Sequence, residues 1–308
     1  MPNEFRLLML GAMYENGGNT VHRLLDGHPG LYTYPFESQL GTRHVIDQYT
    51  STMPSKYRWP EFVLDSSPAQ DYAAIIDEEC KVRALTPRVS KFRDYPFDFE
   101  DAKRRELFEG HVAKLGRGRA NNVAAFFRAT FEAWNDHRSS GEERVYVGYS
   151  PVLGVDAEKI LSDFPDGHFL HIVRNPWSAY ADTKKRPVPL SLSAYMNLWT
   201  LSQYFALLAL EKHPGRMHVL RLEDVLPDPH SALSPICQAL GLAADESLRS
   251  VSWNGTPMTE VYPWGTIRTP TPEANRATAA ELDAAEREAV RWRAQGYLER
   301  LGYQNFPD

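Results

Sequence analysis

The sequence predicts an α/β fold in which a central parallel sheet carries helices on both faces, and three observations predict it. Short, largely apolar runs at Phe5–Leu10, Arg144–Tyr149, His168–Val173 and Met217–Leu222 have the pattern of strands buried on both sides. Helical patterns separate them, so strand and helix alternate, which implies right-handed crossovers. With 308 residues, 43% of them apolar and 24% charged, the chain can bury a large core and is too ordinary in composition for disorder or a fibrous repeat.

Taken in order, Phe5–Leu10 ends at Gly11 and opens into a glycine-bearing loop, Gly11–Asn19. Thr20–Leu25 then forms a helix that stops ahead of His28-Pro29, because proline disfavours a helical residue before it. Between about residues 40 and 142 no parallel-strand run occurs, but Phe99–Leu115 and Asn121–His137 have helical periodicity. The second carries Val123, Phe126, Phe127, Thr130, Phe131 and Trp134 on one stripe. This stretch is expected to be a helical insertion within a single domain spanning 1–308.

Alternation resumes with the strand Arg144–Tyr149 and a helix over Asp156–Phe164 that Asp156 is placed to cap. The strand His168–Val173 follows, then a helix with Pro176 in its first turn and a longer one over Leu192–Leu210. The strand Met217–Leu222, a helix over 230–240 and a final amphipathic helix over Thr278–Arg300 complete the pattern.

Lys and Arg total 34 against 40 Asp and Glu, a formal charge of -6 with a pI near 6.0. That balance gives no overall attraction to nucleic acid or anionic membrane, so any anion site is local. No apolar stretch approaches the roughly 20 residues that span a bilayer, and the N-terminus lacks the basic region of a signal peptide. Cys80 and Cys237 are the only cysteines and lie at no metal-like spacing. Neither a metal site nor a disulfide is expected, and a reducing cytoplasm is the expected location.

Ligands of open parallel sheets bind where strand ends feed helix N-termini. Asn16-Gly17-Gly18-Asn19-Thr20 lies at such a place: the glycines admit a close backbone approach, and Asn19 and Thr20 add donors for phosphate or sulfate oxygens. A glycine turn that binds nothing would have the same sequence. The G-K-S/T ending of a Walker A loop is absent, which disfavours ATP hydrolysis and a P-loop kinase. The strand His168–Val173 delivers Arg174 to the same edge, where a guanidinium can clamp a phosphate. Asp182, Thr183, Lys184, Lys185 and Arg186 follow along the next helix, a basic end that could equally serve only the helix dipole.

These segments, LMLGAMYENGGNTVHRLLDGHP, HFLHIVRNPWSAYADTKKRP and MHVLRLEDVLPDP, resemble the sulfotransferase family that uses 3′-phosphoadenosine-5′-phosphosulfate. In that family an R-S-G-T-T or K-x-G-T-T loop binds the phosphosulfate, and an R-D-P-R-D-x-x-x-S segment holds the 3′-phosphate through its arginine and serine. The resemblance implies a P-loop-like three-layer fold, that nucleotide as co-substrate, and no metal. It puts Gly17, Gly18, Asn19 and Thr20 on the phosphosulfate and Arg174 on the 3′-phosphate. Arg268, ahead of the last helix, is similar to the basic residue of a loop that closes over the nucleotide, and Trp177 is placed either against adenine or in the core.

Three positions depart from the family pattern. Asn16 stands where the family has Arg or Lys, Tyr149 replaces the lysine of a G-E-K-S/T-P segment, and Asp182 falls where the 3′-phosphate serine should be. Sulfuryl transfer builds negative charge on the leaving oxygen, and cations aimed there are the main stabilisers. Asn16 offers only a neutral hydrogen bond, with Arg23, Arg43, Lys184 and Lys185 as candidate replacements. An aspartate would repel a 3′-phosphate, so Thr183 supplies the hydroxyl if the helix register shifts by one.

Transfer to an alcohol needs a base; in many members of the family that the chain resembles, a glutamate follows the H-P turn by several residues, and Glu37, similarly placed after His28-Pro29, is the leading candidate, its pKa raised if Tyr34 and Phe36 desolvate it. His22 and His44 are alternatives, and His28 is expected to be structural. Aromatic residues such as Tyr49, Tyr57 and Trp59 are candidates for an acceptor cleft. The expected activity is sulfuryl transfer to a small molecule or glycan; the rival is a relative with altered donor chemistry that only binds.

Overall fold

A computed structural model describes residues 5–258 and 271–306. The first run forms β1 (Leu7–Ala12), and the glycine loop leads into α1 (Gly18–Leu25) and a short β2 (Leu31–Thr33). The insertion carries α2 (Pro68–Ala74), α3 (Glu78–Leu85), α4 (Asp101–Leu115) and α5 (Arg119–Ala133). Next come β3 (Val145–Pro151), α6 (Ala157–Asp163), β4 (His168–Val173), α7 (Pro176–Thr183), α8 (Leu192–Lys212) and β5 (Met217–Arg221). The chain continues through α9 (Leu222–Val225), α10 (Pro229–Ala239), the small hairpin β6 (Ser252–Trp253) and β7 (Thr256–Pro257), then α11 (Pro272–Ala279) and α12 (Ala284–Leu298).

β1 to β5 form one parallel sheet in the order β2-β3-β1-β4-β5. Leu10 lies opposite Tyr149 on one side of β1, and Ala12 lies opposite Ile172 on the other. The chain leaves β1 toward the β2–β3 side and leaves β3 toward β4, so the order reverses beside β1 and the loop at its carboxyl end opens into a crevice.

Both faces of the sheet are covered by apolar packing. Leu7, Met9 and Phe169 pack with Phe126 and Phe127 of α5 and with Tyr72 and Phe108 of the insertion, so the aromatic stripe of α5 is core. Leu8, Leu10 and Ile172 pack with Val21 and Leu25 of α1 and with Cys237 and Leu240 at the end of α10. Trp177 belongs to a third cluster with Tyr195, Trp199 and Val290, and its indole N–H donates to the carbonyl of Arg287. It is a core residue.

Several expected elements differ in detail. β2, α2 and α3 were not anticipated. Asp156 does not cap α6: its carboxylate accepts from the Arg58 guanidinium at 2.7 Å and from the Trp59 N–H at 2.9 Å. The expected last helix is two helices, because Asp283 and Glu286 form a capping box that starts α12 afresh after α11 has ended. Among the described residues no helix is long and apolar enough to cross a membrane, and no group of three His, Cys, Asp or Glu side chains is arranged to hold a metal.

Candidate active site

The loop after β1 turns into α1 through Gly17, whose φ of 84° lies in the left-handed region; a Cβ there would also stand 2.6 Å from Leu222 Cδ1. Glycine is required twice over. Gly18 lies under the ring of Tyr149, so the side chain in place of a lysine is an aromatic lid on the loop. No side chain caps α1, whose first turn presents backbone N–H groups at the crevice with Asn19 half-buried beside them.

Asn16 is buried and ties the loop to the neighbouring strand end. Its Oδ1 accepts from the backbone N–H of Arg174 at 2.9 Å, and its Nδ2 donates to Tyr14 O at 2.8 Å and Tyr195 Oη at 3.0 Å. The glycine loop and Arg174 therefore share one rim. Arg174 itself is 2% exposed. Its Nε donates to Asn275 Oδ1 at 2.6 Å, and its Nη1 to Glu15 O at 3.0 Å and Asp182 Oδ2 at 2.7 Å. The other oxygen of Asp182 accepts from Lys185 Nζ at 2.9 Å. Thr183, also fully buried, donates its hydroxyl to Ala179 O within α7. Asn275 comes from α11 and also reaches Glu223, which accepts from Asn175 and Tyr303. From the sequence, Glu223 figures only within the RLEDV segment, with no role of its own, and Asn275 not at all.

Glu37 stands on the other side of the loop. β2 delivers it: Tyr34 N–H donates to Val147 O and Ser38 N–H to Tyr149 O, which carries the chain across the end of β3. The Tyr34 hydroxyl donates to Asp77, which is paired with the buried Arg104 at 2.7 Å, so the insertion is docked on this segment. That docking brings α3 alongside. Glu37 N–H donates to Glu79 Oε2 at 3.2 Å, and Glu37 Oε1 accepts from Asn19 Nδ2 at 3.5 Å. Its Oε2 is buried with no hydrogen-bond partner among the described residues.

Burial raises the Glu37 pKa to about 7; the charge of Glu79 adds to the rise, and Lys91, the Asn19 hydrogen bond and Lys56 oppose it. Lys91 is paired with Glu79 at 3.3 Å. Both line a cleft of about 160 Å³ together with Lys56, Tyr57, Ser90 and Phe92. Tyr14 and Tyr57 stand edge to face at 6.2 Å; burial pushes both phenols up, and the charge of Glu37 adds to the rise. A buried carboxyl with a raised pKa, beside the half-buried Asn19 at the start of α1, can accept a proton from a hydroxyl brought to it.

The other candidates fall elsewhere. Arg23 is buried behind α1, donating to Tyr34 O and lying over Trp253. His22 is buried, its ring 5.7 Å from that of Tyr149, and burial with the neighbouring Arg23 charge holds its pKa well below the usual histidine value. Arg43 and His44 line a separate cleft with Asp71 and Lys81. Lys184 pairs with Glu286. Arg186 is the cation found near the loop, over the Tyr14 ring at 4.6 Å and 3.8 Å from Glu15. Arg268 lies outside the described residues.

The model of the Sulfotransferase family matches residues 16–246. The sulfotransferase domain of the Synechococcus PCC 7002 olefin synthase has a similar fold, with a TM-score of 0.57, 19% identity and 96% of each chain covered. A second similar fold is the sulfotransferase domain from the curacin biosynthetic pathway, with a TM-score of 0.52, 13% identity, and 98% of this chain and 99% of that one covered. No curated protein matches the chain. With a family match over most of its length, on the fold and rim described above, this chain belongs to the sulfotransferase family.

Proposed function

We propose that the chain transfers a sulfuryl group from an adenosine phosphosulfate, 3′-phosphoadenosine-5′-phosphosulfate in the form the family resemblance implies, to a hydroxyl of a small molecule or glycan. The observation that carries this reading is Glu37: a buried carboxyl with one unsatisfied oxygen, a pKa near 7, and a hydrogen bond to Asn19 of the glycine loop. A small acceptor fits the biosynthetic settings named for the two similar domains. A cytoplasmic setting, with neither metal nor nucleic acid taking part, belongs to the same reading.

In the proposed step the acceptor oxygen attacks sulfur in line. The new sulfur–oxygen bond forms as the bond from sulfur to the 5′-phosphate oxygen breaks, the adenosine phosphate leaves with that electron pair, and Glu37 takes the acceptor proton. The amides of Gly17, Gly18, Asn19 and Thr20 would receive the phosphosulfate oxygens, with Asn16 fixing the loop. Arg186 is the cation proposed to stand in for the missing lysine and arginine. Arg174 and Thr183 are the candidates for the 3′-phosphate, and Arg268 for closure over the nucleotide.

A second reading, in which the donor chemistry is altered or only binding remains, is favoured by Asp182 on Arg174 and by Tyr149 against Gly18. The two separate in one experiment: donor affinity by calorimetry, and transfer of labelled sulfate to a panel of alcohols, for the wild type and Glu37→Gln. The variant should keep donor affinity within about twofold and lose turnover by about 10³-fold. Full activity of Glu37→Gln rejects Glu37 as the base, and absence of donor binding at millimolar concentration selects the second reading.

A further inference from the structure

The Arg174 end of the rim is built unlike a phosphate site. Its guanidinium is buried, and the chain itself supplies acceptors to three of its five N–H groups: Asp182 Oδ2 at 2.7 Å and Glu15 O at 3.0 Å to Nη1, and Asn275 Oδ1 at 2.6 Å to Nε. Among the described residues the charges in this cluster are paired: Arg174 and Lys185 face Asp182 and Glu281, with Lys185 bonded to both carboxylates at 2.9 Å. Asn275 is fixed in turn, because its backbone carbonyl accepts from Ser178 Oγ at 2.6 Å and its Nδ2 donates to Glu223 Oε1 at 2.8 Å. A phosphate dianion arriving here would share Arg174 with a carboxylate already in a charge-assisted bond and would lie beside its negative charge. The 5′ end of a donor meets no such obstacle from this cluster.

We propose that Asp182 sets donor preference, so that an adenosine 5′-phosphosulfate with a free 3′-hydroxyl seats on this rim about as well as its 3′-phosphorylated form. The inference rests on the reading that the rim seats an adenosine phosphosulfate, and deepens it by naming which class. The chemistry loses nothing. The sulfuryl group passes to the acceptor oxygen, the acceptor proton goes to Glu37, and adenosine 5′-monophosphate leaves with the electron pair of the broken sulfur–oxygen bond; the 3′-phosphate takes part in none of these changes.

The test is calorimetric titration of the full chain with adenosine 5′-monophosphate and with adenosine 3′,5′-bisphosphate, repeated for Asp182→Ser and for Asp182→Asn. Asp182→Asn keeps a hydrogen bond to Arg174 and removes only the charge. The wild type should bind the bisphosphate no more than about threefold tighter than the monophosphate, and at least one variant that folds with wild-type circular dichroism should favour the bisphosphate by tenfold or more. A wild type that already favours the bisphosphate tenfold, or folded variants with an unchanged ratio, overturns the inference and leaves the proposed function standing. If neither nucleotide binds the wild type or a variant at millimolar concentration, the donor reading of the rim falls and this inference with it.

Discussion

Two carboxylates approach the loop after β1 from opposite sides and are treated in opposite ways. Asp182 is buried against a guanidinium, with a lysine on its other oxygen. Glu37 is buried against another carboxylate, Glu79, keeps one oxygen without a partner, and has only a long hydrogen bond from Asn19. The first arrangement satisfies its buried charges without a ligand. The second raises the free energy of the folded chain, since a buried charge with a like neighbour is costly and tends to hold its proton. Such a group belongs where a substrate supplies what the chain withholds. The β4 side of the rim is therefore internally paired, and the β2 side is the one the proposed function makes reactive.

The largest expected effect breaks the paired side. Arg174→Ala leaves Asp182 buried with only the half-exposed Lys185 for a partner, and should destabilise the chain by about 3 kcal/mol in urea unfolding at pH 7. An unchanged midpoint would show that the pair carries no structural weight.

The β2 side should respond with the opposite sign. Burial and Glu79 raise the Glu37 pKa from 4.5 to about 7, so between those values the folded chain binds more protons than the unfolded one. Stability from this group is present below pH 4.5 and is lost as pH rises toward 7. Glu37→Gln should accordingly stabilise the chain by about 2 kcal/mol at pH 8 and by nothing near pH 4. A loss of stability at pH 8 would mean that the Glu37 charge is structural.

Smaller shifts sharpen the contrast. In the proposed reaction the base works unprotonated, so kcat/KM should rise with pH and level off above about pH 7. Glu79→Gln removes the like charge and should move that inflection down by about one pH unit, whereas Lys91→Ala should move it up. Identical profiles in all three proteins would place the titrating group elsewhere.

The difference between the two sides also marks how far the sequence could be read. β1 and β4 were legible because a buried parallel strand is a continuous apolar run ended by glycine or a polar turn, and the loops at their ends were legible with them. β2 was not, being three residues, Leu31–Thr33, with no run of its own, although it is what delivers Glu37. α2 starts with the capping box Ser67 to Gln70, a signal present in the sequence; α3 starts at Asp77, in a left-handed conformation that carries no such mark.

At the site, Glu37 was accessible only through the family resemblance, which places a glutamate several residues beyond the His-Pro turn. Glu79 and Asn275 were not, since they reach Glu37 and Arg174 from 42 and 101 residues away through the docking of separate helices. Asp182 was visible as a charge, but its role turned on a partner. Read along the chain it opposes a ligand's phosphate, and in the fold it occupies the guanidinium that such a phosphate would need.

The central claim is that Glu37 is held near neutrality by its burial beside Glu79, ready to take a proton at the loop. The most direct measurement is the carboxyl titration of Glu37 by carbon-13 NMR in protein labelled at glutamate, assigned by Glu37→Gln. A midpoint near pH 7 that falls in Glu79→Gln is the predicted result; a midpoint near pH 4.5, unmoved by that substitution, would contradict the account.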